Sequence, residues 1–227
     1  MGQPVENTAL MSVYSVGEAA VTLKSTQPVS LTIQQKIWWI ADKCRCYELL
    51  EVIPGMNNLT LVFDPLLYPV QFFIDQLCSF WDEVQKIAPS ELNRTGKEIA
   101  IPVVYGGEKG PDLSEVARLH KMSVDEVIKR HSSAVYTVFF IGFMPGFVYL
   151  GGLDEQLVTP RRAEPRLQIP AGSVGIGGAQ TGIYPSVSPG GWQIIGNTET
   201  KLFDPERAQP ALLLPGDTLR FTVQEVL

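Results

Sequence analysis

Charge is scarce in this sequence. Asp, Glu, Lys and Arg make up only 19% of the 227 residues, the net charge is −6, and no basic run occurs. A nucleic-acid face needs clustered Lys and Arg, so such a partner is not expected. No window approaches the ~18 uninterrupted apolar residues of a membrane span. The opening MGQPVENTALMSVYS has neither the basic start nor the apolar core of a secretory leader. A myristoylation signal at Gly2 would need Ser or Thr where Glu6 stands. Cysteine is limited to Cys44, Cys46 and Cys78, which cannot all pair, so reduced thiols in a cytoplasmic protein are expected. Histidine is limited to His120 and His131. Neither lies in H-E-x-x-H or beside a cysteine pair, so no metal site is expected.

What is abundant is concentrated. Twelve of the 20 glycines fall between Gly142 and Gly196, where uniform scatter would put about five. Prolines at 145, 160, 165, 170, 185 and 189 bar any long helix from residues 139–196. Aromatics are woven through the same stretch: Phe139, Phe140, Phe143, Phe147, Tyr149, Tyr184 and Trp192. Disordered Gly/Pro tracts lack such a payload. A rigid wall of turns carrying aromatics is the expectation, and such walls build pockets or docking faces.

The rest of the chain is more regular. MSVYSV (11–16) and AAVTLK (19–24) read as strands around Gly17-Glu18. A helix follows, with Thr32 and Gln35 as a capping box and Ile33, Ile37, Ile40, Ala41 and Cys44 at helical spacing. Trp38 and Trp39 flank that stripe, one packing on the sheet and one standing at the surface. Strands at 51–54 and 59–64 enclose the turn PGMNN, and a second helix spans 69–86 with Val70, Phe73, Ile74, Leu77, Trp81 and Val84 on one face. Helices on one face of a sheet give a small N-terminal α/β sandwich-like domain over residues 1–92.

After the turn-rich APSELNRTG, KEIAIPVVY (97–105) opens a second domain, 97–227. Asp112 with Glu115 and Ser123 with Glu126 are capping boxes for two short helices. AVYTVFFIG (134–142) reads as a strand buried on both faces. Short strands RLQIP, SVGIG, GIYPS and WQIIG follow, and LLLPGDTLRFTV supplies two more around Pro215-Gly216-Asp217. The class is α+β, with a barrel or sandwich as the second domain.

The chemistry is incomplete. GSVGIGGAQTG (172–182) is neither a Walker A loop nor G-x-G-x-x-G, and tight turns joining strands are the expected use of Gly172 and its neighbours. Ser173 sits in a near-match to the nucleophile elbow, but Ala171 replaces its first glycine. His131 either caps its helix or carries a proton. Arg161, Arg162 and Arg166 surround Glu164, either as a salt-bridged loop or as an anion clamp.

The wording of the stretch is more specific than its chemistry. HSSAVYTVFFIGFMPGFVYL (131–150), TPRRAEPR (159–166), PAGSVGIGGAQTGIYP (170–185), PGGWQIIG (189–196) and LFDP (202–205), with IPGMNN and IPVVYGG earlier, resemble the KipI/allophanate hydrolase subunit 1 family over nearly the whole chain. The resemblance implies a cyclophilin-like β-barrel for the second domain. It implies work in a 5-oxoprolinase complex with two partners, a C subunit related to allophanate hydrolase subunit 2 and an A subunit. Together these chains would use ATP to open 5-oxoproline to glutamate. His131, Arg161, Arg162 and Glu164 are then the expected catalytic set. Phe143, Pro145, Gly146, Phe147, Tyr149, Gly172, Ser173, Gln180, Thr181, Tyr184 and Trp192 form the expected substrate or partner surface. The family's alternatives are an inhibitor of a sporulation-type sensor histidine kinase and subunit 1 of an allophanate hydrolase.

Overall fold

The computed structural model describes residues 5–7 (backbone only), 10–94 and 96–227. The chain divides into two compact units, Met1–Arg94 and Thr95–Leu227.

The first unit is a five-stranded antiparallel sheet carrying two helices. Its elements are β1 (Val5–Asn7), β2 (Met11–Ser15), β3 (Ala20–Ser25), α1 (Leu31–Cys44), β4 (Glu51–Gly55), β5 (Asn58–Val62) and α2 (Val70–Val84), with strand order β1-β2-β3-β5-β4. Strand β1 is an addition to the sequence reading. Alternation turns Met11, Val13, Val21, Leu23, Leu59 and Leu61 onto Ile33, Ile37, Phe73, Leu77 and Trp81 in one core. The first helix is capped by Ser30, not Thr32: the Ser30 hydroxyl accepts from the Ile33 amide at 3.3 Å. Ser30 is the last residue with extended backbone, and a cap must sit there to reach back to the first free amides. Gln35, the expected partner of Thr32, instead donates to Asn93 at 2.7 Å. Trp38 is buried, and Trp39 is half-buried, edge-on to Phe80 and under Lys43. Cys44, Cys46 and Cys78 are free thiols, and burial pushes that of Cys44 up to about 12.

The second unit is a closed barrel. Its elements are β6 (Glu98–Tyr105), α3 (Leu113–His120), α4 (Val124–Ser133), β7 (Tyr136–Ile141), β8 (Val148–Gly151), β9 (Arg166–Ile169), β10 (Ser173–Gly177), β11 (Gln180–Ile183), β12 (Ser188–Gly190), β13 (Gln193–Asn197) and β14 (Thr218–Val226). Seven strands close in the order β10-β11-β8-β7-β14-β6-β13, while β9 and β12 form a separate pair. All barrel pairings are antiparallel except that of β14 with β6. Ile101, Val103, Val138, Leu150, Val174, Ile176, Ile183, Ile195 and Phe221 fill the interior, joined by Val116 and Ala117 of α3 and Val127 and Ile128 of α4.

Three expectations are corrected. Strand β7 is buried on both faces only in part: Tyr136 and Val138 join the barrel core and Phe139 is buried on the opposite side, but Thr137, Phe140 and Ile141 remain half-buried. Residues 212–214 form no strand; they lead into the turn where the Asp217 carboxylate accepts from the amides of Leu214 and Lys97 at 2.8 and 3.0 Å. The hairpin after Gly178 begins at Gln180 rather than Gly182, since its ladder with β10 runs from Gln180. No helix among the described residues is long and apolar enough to cross a membrane.

Candidate functional site

The glycine run makes a bare patch on the outside of the barrel. Along β10 and β11, Val174, Ile176 and Ile183 face the core. The alternate positions, Gly175, Gly177 and Gly182, face outward beneath aromatic rings. A Cβ on Gly177 would stand 2.5 Å from the Trp192 ring, and one on Gly182 would stand 3.1 Å from Trp192 and 3.3 Å from Phe147. Strand periodicity therefore puts glycine on one face so that the rings can lie against backbone. Phe147, Tyr184 and Trp192 pack there with Ile169 and Ile194 in a small core of their own. The contacts are edge-on: Phe147 meets Trp192 at 5.5 Å and Tyr184 at 5.2 Å, and Tyr149 meets Trp192 at 6.0 Å.

These rings wall a cleft of about 130 Å³. Phe143, Phe147, Tyr149, Tyr184, Trp192 and Arg161 line it, with residues 189–191 completing the rim. The turn between β7 and β8 supplies Phe143, which is 59% exposed and holds φ +67°. That conformation costs a bulky side chain about 1–2 kcal/mol, so packing of the turn must enforce it. Gly146, at φ +79°, seats the turn: a Cβ there would stand 2.7 Å from Phe203. Pro145 is exposed beside it. The Arg161 guanidinium stands 5.9 Å from the Trp192 ring centroid and forms no ion pair among the described residues. Burial raises the Tyr149 and Tyr184 hydroxyls, opposed at both by the Arg161 charge. Both therefore stay protonated donors near neutrality.

The other arginines are committed elsewhere. Asp112, 4% exposed at the start of α3, accepts Arg166 through two bonds of 2.7 and 2.8 Å, Arg162 at 3.0 Å and the Ile194 amide at 2.7 Å. Its side chain does not cap α3, contrary to the expected box with Glu115; two guanidiniums outcompete a helix amide for the carboxylate. The arginines thus surround Asp112 rather than Glu164, which is exposed and without an ion pair among the described residues. Further bonds hold the loop: the Arg162 amide to the Gly191 carbonyl at 2.7 Å and Gln193 Nε2 to the Pro160 carbonyl at 3.1 Å.

His131, one of the expected catalytic set, does not line the cleft. It is fully buried, and its ring reaches across the barrel interior, stacked on Phe221 at 4.5 Å. The Thr181 hydroxyl donates to the Gly175 carbonyl at 2.9 Å, so it accepts from His131 Nε2–H at 2.9 Å. His131 Nδ1 then accepts from the Tyr105 hydroxyl at 2.8 Å. Burial pushes the imidazole down to about 3, so it stays neutral. Thr181 and Ser173 are likewise buried, and Gly172 turns at φ +78° where a Cβ would collide with the Thr198 carbonyl. None of the three faces the cleft. Gln180 is half-buried where β11 begins.

Strands β10 and β11 are laddered to one another and to β13 and β8, and the Gly178 amide donates to the Thr159 carbonyl at 2.7 Å. A second cavity of about 350 Å³ lies beyond Arg166, edged by Glu108, Lys109, Gln168 and Asn197. Sequence reasoning missed Asp112 as a hub and Tyr105 as a partner of His131. Asp112 lies 50 residues from Arg162, and no local pattern announces such a pairing.

Residues 11–213 match the family described as carboxyltransferase domain, subdomain C and D. The chain belongs to this family. Members of similar sequence include proteins named as the B subunit of 5-oxoprolinase. The one from Escherichia coli O157:H7 is 49% identical over 93% of this chain and 95% of the relative, and the one from Haemophilus influenzae is 47% identical over 95% and 99%. A protein of that name from Bacillus subtilis is 42% identical over 76% of this chain and 74% of its own. Among solved structures, TTHA0988 is similar at 32% identity and a TM-score of 0.74; the match covers 91% of this chain and 40% of that protein. PH0987 from Pyrococcus horikoshii is similar at 38% identity and a TM-score of 0.56, over 94% of this chain and 97% of its own. The Kluyveromyces lactis urea amidolyase shares the fold at 18% identity and a TM-score of 0.76. The resemblance read from the motifs therefore holds, as does the α+β class with a barrel.

Proposed function

We propose that the chain is the B subunit of an ATP-dependent 5-oxoprolinase, opening 5-oxoproline to L-glutamate together with two partner chains, the A and C subunits. The observation that carries this reading is identity of 47–49% to two proteins of that name over 95–99% of their length. A lactam resists attack because its carbon is electron-rich and its nitrogen leaves poorly. ATP would supply the activation, a phosphoryl group on the lactam oxygen with ADP released; water would then add to the carbon, the ring nitrogen leave as the amine, and a second water cleave the resulting acyl phosphate to carboxylate and phosphate. This chain's contribution is binding and orientation. The barrel offers a preformed aromatic cleft with one free guanidinium and two phenol donors. A chain with a binding cleft but no nucleophile or base beside it suits a half-site completed by a partner, so the chain alone is inactive. The setting is the cytoplasm, where ATP is available and the three thiols stay free.

Co-expression with the A and C subunits and an assay of ATP-dependent glutamate release test the assignment. Turnover is expected only when all three chains are present. Full turnover without this chain, or turnover by it alone, would refute the reading.

A further inference from the structure

We propose that the cleft between Phe143, Tyr149, Tyr184 and Trp192 is the seat of the five-membered lactam, with Arg161 gripping its ring carboxylate and the Tyr184 hydroxyl facing its ring amide. The inference rests on the 5-oxoprolinase reading and assigns to it a specific site.

Size argues first. A cleft of about 130 Å³ is well below the ~300 Å³ at which pockets begin to hold drug-sized ligands. It suits one small ring and not a nucleotide. Charge argues second. A triphosphate needs several cations or a run of free amides, and this cleft has a single guanidinium. One positive charge matches one carboxylate. Of the three arginines in the loop, Arg162 and Arg166 are bonded to Asp112, so only Arg161 is unspent. The backbone on either side of Arg161 is held: the next residue's amide is tied to Gly191, and the preceding carbonyl, that of Pro160, is tied to Gln193.

Shape argues third. The Trp192 ring and the edge of Phe147 lie against glycine and cannot sink further, so a flat ligand meets fixed walls. The Tyr184 ring lines the cleft with its oxygen beside Gly190, where its proton is placed to donate to a ligand. A lactam presents a carbonyl acceptor on the ring and a carboxylate beside the nitrogen. The arrangement accommodates both groups while the apolar methylenes face Trp192. Phe143, exposed on a strained turn at the mouth, is placed to cover the ring.

The test is steady-state kinetics of the assembled three-chain enzyme carrying Arg161→Gln, Arg161→Lys or Tyr184→Phe. Competition by 2-pyrrolidinone, the same ring without a carboxylate, is measured alongside. With Arg161→Gln, KM for 5-oxoproline is expected to rise about tenfold or more, the loss of one charge-assisted contact. The lysine variant should recover part of it. Inhibition by 2-pyrrolidinone should be unchanged in Arg161→Gln, a signature that a general loss of folding would not give, and weakened in Tyr184→Phe. An active wild-type complex whose KM is unmoved by Arg161→Gln would overturn the site while leaving the function standing. A complex that is inert with wild-type chain would overturn the function and the site with it.

Discussion

His131 shows how one residue's surroundings decide its chemistry. Its neutral ring is held by Tyr105 and Thr181 in a water-free core. In the unfolded chain it titrates near its ordinary value, about 6.5, whereas burial holds it down to about 3 in the fold. Between those values the unfolded state binds the extra proton, so stability falls as pH falls, by about 1.4 kcal/mol per pH unit. Urea midpoints measured from pH 7 to pH 4 should decline accordingly. In His131→Gln that part of the slope should vanish, although the variant starts less stable at pH 7. An unchanged slope would place the imidazole in contact with water. Ser30 offers a simpler case. Removing its cap with Ser30→Ala should cost about 1 kcal/mol in thermal or urea unfolding of the first unit, whereas Thr32→Ala should cost much less.

At the scale of elements, the loop of residues 160–166 is held in position through Asp112. Asp112→Ala would strand the Ile194 amide and release both Arg162 and Arg166. Those guanidiniums are 34% and 26% exposed and can turn to water, so the cost should be about 2 kcal/mol rather than the larger loss of a fully buried broken pair. Trypsin, which cleaves after arginine, should cut the variant within the loop and spare the wild type under native conditions. The hairpin of β10 and β11 makes the complementary point. Gly177→Ala would drive a methyl group into the Trp192 ring and should lower stability by about 1–3 kcal/mol, with altered Trp192 fluorescence. Resistance of the Asp112→Ala loop to trypsin, or an undisturbed Trp192 signal in Gly177→Ala, would contradict this account of how the cleft is built.

For the molecule as a whole, the two units divide the work of folding differently. The first buries helix stripes on one face of a sheet, and its periods of 3.6 and 2 are plain in the sequence. The second closes a barrel and then builds a thinner aromatic layer outside it. Gathering the aromatics of residues 143–192 was foreseeable, because Phe143, Phe147, Tyr149, Tyr184 and Trp192 recur between glycines and prolines that forbid helix. Ser173 and Thr181, expected at that surface, are instead buried, as is His131 of the expected catalytic set. A residue's side of a barrel strand depends on register, and a shift such as that between Val174 and Gly175, where β10 meets β13, is invisible in composition.

By itself the sequence determined the kinds of element, their order and the family wording of residues 131–205. Those properties depend on neighbours within a few positions: periodicity, turn chemistry and spacing. Only the tertiary structure decided which polar groups remain available. Arg161, Arg162 and Arg166 are the same residue type within one short loop, yet two are paired with Asp112 and one is left beside Trp192. Coulomb attraction acts through space and not along the chain, so the fate of a charge rests on a partner some fifty positions away that only folding brings within 3 Å.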